Sequence, residues 1–94
     1  MTEYIALIHK DATSDYGVSF PDFPGCISAG ATLAEARAMA AEALGLHIEG
    51  MLAEAAAIPE PSTLHVIRSD PENQDAMAIS VTSVFHGKHK ASPA

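Results

Sequence analysis

One helical signature divides this chain and limits how it can fold. Thr32-Leu-Ala-Glu35 is a capping box: the Thr32 hydroxyl can accept from the amide three residues on, and the Glu35 carboxylate can reach back to the Thr32 amide. Behind it, Leu33, Ala36, Ala40, Ala43, Leu44, His47, Ile48, Met51 and Leu52 recur at spacings of three and four, the period of a helix with one buried face. The many alanines favour helix and permit close approach to a sheet. Pro59 stops the pattern, so a helix is predicted from Thr32 to about Ala57. Glu35, Glu42, Glu49 and Glu54 are spread along it and are expected to be mostly solvated. A single helix can seal one face of one sheet, and the rest of the fold must be built around that limit.

Three strands are predicted before the helix. Residues 3–10 place Tyr4, Ala6 and Ile8 on one side and Ile5, Leu7 and His9 on the other, so both sides are apolar and the strand is central or doubly covered. Asp11 to Asp15 is a polar turn, and Tyr16-Gly-Val-Ser-Phe20 returns antiparallel to the first strand. Pro21-Asp-Phe-Pro-Gly25 then forces a stiff loop, from which Phe23 is expected to tuck inward. Cys26 onward forms a short third strand ending at Gly30. After the helix, Ile58-Pro-Glu-Pro-Ser62 is a rigid elbow; residues 63–70 fit either a short helix or an extended stretch, and residues 69–75 a turn or one helical turn. Residues 76–85 read as a last strand, with Met77, Ile79, Val81 and Phe85 alternating with smaller or polar residues, and 86–94 as a disordered tail. The order is β-β-β-α-β in one α+β domain over residues 1–85, an antiparallel sheet with one long helix on one face.

Charge narrows the function classes. Twelve acidic residues against five Lys and Arg give a net charge of −7. Nucleic-acid affinity rests mainly on neutralising phosphates, so direct DNA or RNA binding is a poor fit, whereas encounter with a basic partner would be accelerated. A solubilising role is the plainer meaning of such acidity. The chain lacks an apolar run long enough for a membrane span and opens on Met-Thr-Glu-Tyr rather than a secretion signal. With one cysteine, Cys26, an internal disulfide is impossible, and a cytoplasmic protein is expected.

The pattern resembles the HicB antitoxin family. The likeness rests on Tyr4-Ile-Ala-Leu-Ile8; on Tyr16-Gly-Val-Ser-Phe-Pro-Asp-Phe-Pro-Gly-Cys26; on Gly30-Ala-Thr-Leu-Ala-Glu-Ala36 opening the helix, followed by the Ile58-Pro-Glu-Pro-Ser62 elbow; and on Ala78-Ile-Ser-Val81. Together these span roughly residues 3–84. The resemblance implies a partial, degenerate RNase H-like domain and a HicA partner, a small basic ribonuclease whose active site HicB masks. Many members add a C-terminal ribbon-helix-helix or helix-turn-helix domain that binds DNA. Only ten residues follow Val84 here, so DNA binding by this chain alone is not expected. The alternative is a stand-alone regulator or scaffold without a toxin.

The chemistry-bearing residues favour binding over catalysis. Metal-dependent phosphodiester cleavage needs converging carboxylates, and the interiors of the first two strands carry none. Among His9, His47, His65, His86 and His89, only His86-Gly-Lys-His89 has a ligand-like spacing, and it lacks a second pair, so neither a metal site nor a cofactor is expected. Cys26 has no evident base and reads as a small core residue. The loop either only turns the chain or, being stiff, presents Phe20, Asp22 and Phe23 to a partner at low entropic cost, with Asp22 pairing to a basic toxin residue. A sheet with one incompletely polar open face further predicts association as a homodimer or tetramer.

Overall fold

In a computed structural model, residues 2–10 and 12–82 are described. The chain folds as β1 (Glu3–Lys10), β2 (Tyr16–Ser19), β3 (Ile27–Gly30), α1 (Leu33–Ala53), α2 (Leu64–Arg68), a 3-10 turn (Pro71–Asn73) and β4 (Met77–Thr82). The four strands form one antiparallel sheet in the order β3-β2-β1-β4. The strand expected to be central, β1, lies between β2 and β4, with Ile8 opposite Val18 and Tyr4 opposite Val81. The predicted ends of the last strand and the 86–94 tail lie partly or wholly outside the described residues.

Alternation along β1 sends Tyr4, Ala6 and Ile8 to the face that α1 covers. There they join Val18, Phe20, Phe23, Cys26 and Val81, and the helix contributes Ala36, Ala40, Leu44 and Ile48, each fully buried. The spacing of four among those helical residues is one buried stripe. Its first two members are alanines, so the helix axis can approach the sheet closely. Gly30 marks that approach: a Cβ there would stand 2.4 Å from the Ala36 backbone nitrogen. The cap forms as its sequence predicts, with the Glu35 amide donating to the Thr32 hydroxyl at 3.0 Å; the Glu35 carboxylate takes the amide of Ala31, one residue before Thr32, at 2.7 Å.

The helix ends at Ala53, not near Ala57. Ala55 adopts a left-handed conformation (φ 59°), its amide donates to the Leu52 carbonyl at 3.0 Å and that of Ala56 to the Met51 carbonyl at 2.8 Å. This is a Schellman closure with alanine where glycine is usual. Two residues of the predicted buried stripe are at its margin instead: Leu33 and Leu52 are exposed.

The undecided segment after the elbow is helical. Thr63 caps α2, its hydroxyl accepting from the Val66 amide, and Asp70 caps the 3-10 turn through the Glu72 amide. Arg68 fixes the return into β4 by donating to the carbonyls of Asn73, Gln74 and Ala76 at 2.8–3.0 Å. Leu7, on the sheet face away from α1, and Ile67 of α2 are also buried, although both lie outside the main core.

Candidate partner-binding surfaces

Two β-turns build the loop between β2 and β3. The Phe23 amide donates to the Phe20 carbonyl and the Cys26 amide to the Phe23 carbonyl, each at 3.0 Å. Each turn has proline in its second position, and Gly25 takes the positive φ (91°) that the third position of a type II turn requires. The sequence thus prepays the loop's order, and three long-range contacts hold it in place. Phe23 meets the Tyr4 ring edge-on at 4.7 Å and the His47 ring at 5.7 Å. The Asp22 carboxylate accepts from the Ser62 amide at 2.9 Å and from the Ser62 hydroxyl at 2.6 Å. The Tyr4 hydroxyl donates to the Pro59 carbonyl at 2.6 Å. The loop and the elbow after α1 are therefore one braced unit.

This geometry places the three predicted contact residues plainly. Phe20 and Phe23 are 2% and 1% exposed, so in the free chain their rings belong to the core. The inward turn predicted for Phe23 is what is found, and the backbone turns carry Phe20 inward with it. Asp22 is half-buried, with both carboxylate oxygens engaged by Ser62. Nothing local announced Ser62, which lies 40 residues away; the one sequence signal was the stiff Pro59-Glu-Pro61 framing before it.

Burial pushes the Tyr4 hydroxyl above the usual tyrosine range, with the negative charges of Asp22 and Glu60 adding to the effect. It remains a neutral donor through the physiological range. Burial likewise raises the Cys26 thiol, which disfavours a thiolate nucleophile there. Among the described residues no three His, Cys, Asp or Glu side chains are grouped to hold a metal ion. His47, read as a half-buried packing residue, is seated against Phe23; His9 lies 3.1 Å from the Ser19 hydroxyl on the face away from α1.

Among the exposed apolar side chains of the described residues, those in two zones bear on partner binding. One surrounds a shallow groove of about 320 Å³ on the face away from α1, lined by Leu7, Ser19, Pro24, Ile27, Asp70 and Asn73 among others. Ile27, at its edge, is 72% exposed. The other is the outer side of α1, where Met39 and Leu46 are 40% and 58% exposed. Neither Met39 nor Leu46 fits the buried stripe, and their spacing of seven was the available clue to a second stripe.

Comparison with known proteins fits these features into a family. The sequence model described as HicB-like antitoxin of bacterial toxin-antitoxin system matches residues 4–90. This chain belongs to the HicB-like antitoxin family. The antitoxin HicB of Burkholderia pseudomallei has the same fold, with a TM-score of 0.79 and 32% identity over 87% of this chain and 63% of that one. The HicA3 and HicB3 toxin-antitoxin complex contains a chain matching with a TM-score of 0.73 and 29% identity, over 88% of this chain and 99% of that one. An uncharacterized 14.9 kDa protein from the rep-hol intergenic region of Haemophilus phage HP1 is 47% identical over 60 residues. That stretch is 64% of this chain and 45% of the phage protein, so the HicB-like chain spans under two thirds of both its phage relative and the Burkholderia antitoxin. No helix among the described residues is long and apolar enough to cross a membrane.

Proposed function

We propose that this chain is the antitoxin of a type II toxin-antitoxin pair, silencing a HicA-like ribonuclease by covering its RNA-binding face and active site while performing no chemistry itself. The observation that carries this reading is the family match over residues 4–90, joined to the likeness of the fold to a chain of a toxin-antitoxin complex. Physical features support it. A net charge of −7 favours encounter with a basic protein and opposes competition for RNA. The exposed Met39, Leu46 and Ile27 supply apolar area of the kind found at interface centres.

In this reading the domain is a degenerate RNase H-like unit, works in the cytoplasm and acts as a dimer or tetramer. Phe20, Asp22 and Phe23 serve the contact indirectly: they stiffen the loop and elbow from within, so that the surfaces they support meet the toxin already ordered.

The test is to search the neighbouring reading frames for a small basic HicA-like toxin and to co-express it with this chain. Growth arrest by the toxin alone, relieved when this chain is present, is the expected result. Arrest that persists despite soluble expression of both proteins would overturn the proposal.

A further inference from the structure

The outer side of α1 carries two parallel rows, an apolar one that stays exposed and an acidic one whose first member, Glu35, also serves the helix cap. Met39, Leu46 and Ala53 recur every seven residues, with Gly50 beside them, and all four are exposed. Next to them runs Glu35, Glu42 and Glu49, again spaced by seven. From Met39 to Ala53 the double row extends about 20 Å along the helix. Gly50 is the telling member. Glycine inside a helix weakens it relative to almost any other residue. Gly30 is demanded by the packing of α1 on β3, but a Cβ at Gly50 would meet nothing within 4 Å. The chain therefore keeps the backbone bare at a point where its own packing gives no reason to.

Charge decides what fits there. A second copy of α1 carries a single cation, Arg37, which sits on the opposite side of the helix and reaches toward the Ser80 carbonyl on β4. Antiparallel packing of two such helices would set one glutamate row against the other, which is repulsive. A surface with an apolar ridge bordered by lysine or arginine would meet both rows favourably, and the bare Gly50 would let it approach closely. Resting on the antitoxin reading above, we propose that the toxin docks on this outer side of α1, its basic ridge seated on Met39, Leu46 and Gly50 and flanked by Glu42.

The test uses the full chain and a catalytically inactive form of the HicA-like toxin identified by the co-expression test above. Gly50→Leu, Leu46→Glu and Glu42→Lys are compared with Val66→Glu, a matched change at an exposed position of α2. Thermal unfolding of each free variant is measured first, then toxin affinity by calorimetry. Gly50→Leu is expected to unfold at a higher temperature than the parent yet bind about tenfold or more weakly. Leu46→Glu and Glu42→Lys should also lose affinity, and Val66→Glu should bind as the parent does. Parental affinity in both Gly50→Leu and Leu46→Glu would overturn the assignment of this surface while leaving the antitoxin function standing. So would a parent dimer that the α1 variants split without changing toxin affinity, because the face would then belong to a second copy. Failure of the parent chain itself to bind would defeat the antitoxin reading and this surface with it.

Discussion

The two faces of the sheet are covered by very different means. On one, a helix of 21 residues lays four fully buried side chains over Tyr4, Ala6, Ile8, Val18 and Val81. On the other, Leu7 is the buried strand residue among those described and Ile67 the buried residue of α2, while Ile27, Glu3, His9 and Ser80 stay exposed; the five-residue α2 and the 3-10 turn are held in shape by one arginine. The contrast teaches where the stability resides. The face under α1 has no freedom to relax, because a backbone stands within reach of Gly30 and aromatic rings are wedged behind Phe23. The far face can shift, because short exposed elements can move to fill a gap.

Matched substitutions on the two faces test this contrast. The largest difference is expected between Leu44→Ala and Leu7→Ala, residues that are 0% and 2% exposed. Cavity costs for such changes run from about 2 to 5 kcal/mol, with Leu44 near the top and Leu7 near the bottom. Equal losses in chemical denaturation would break the comparison. Next are two glycines. Gly30→Ala forces a methyl into the first turn of α1 and should cost about 1–3 kcal/mol. Gly17→Ala, whose new Cβ would lie 3.7 Å from the His9 carbonyl oxygen, should be neutral or slightly stabilising.

A smaller effect concerns the brace at the end of the sheet. The folded state holds the Tyr4 hydroxyl neutral more strongly than the unfolded chain does. Its contribution is complete below the ordinary tyrosine value near 10 and is lost as pH rises through the higher folded value. Stability should therefore fall above about pH 10, and Tyr4→Phe should flatten that decline while costing about 1 kcal/mol at neutral pH through the lost bond to Pro59. A pH series of urea melts checks both. The smallest change is Ala55→Gly, which relieves the left-handed alanine closing α1 and should stabilise by about 1 kcal/mol or less. A loss of stability there would mean that the strap beyond the helix sets the conformation of residue 55.

Features set by neighbours in sequence were legible in advance. The bounds of β1, the Thr32 cap, the two-proline loop and the inward-facing Phe23 all depend on alternation, side-chain oxygen placement or fixed proline φ. Features set by distant partners were not. The helix stop at Ala53 lies within alanine sequence that would continue helically on propensity alone; beyond it the chain is tied to β1 by Tyr4 and Pro59, 55 residues apart. The burial of Phe20 was hidden for a similar reason: a strand-end aromatic before a proline can point either way until a helix arrives above it. Met39 and Leu46 were missed because an alanine-rich helix, apolar on more than one side, masks its second stripe behind the first. At the candidate surfaces, sequence located the stiff loop but not the exposed helix side.

The register also joins the two ends of the sheet's chain path. Glu3 is paired with Thr82 across the β1–β4 ladder, so the first and last residues of the sheet are neighbours. A short peptide bridge between them would close the domain into a ring, and cutting that ring at the exposed 12–14 turn would give a permuted chain with every strand pairing preserved. Any module fused after β4 would thus leave from beside the start of β1, at a corner remote in sequence from the 21-residue helix and open to rearrangement without rewriting the sheet.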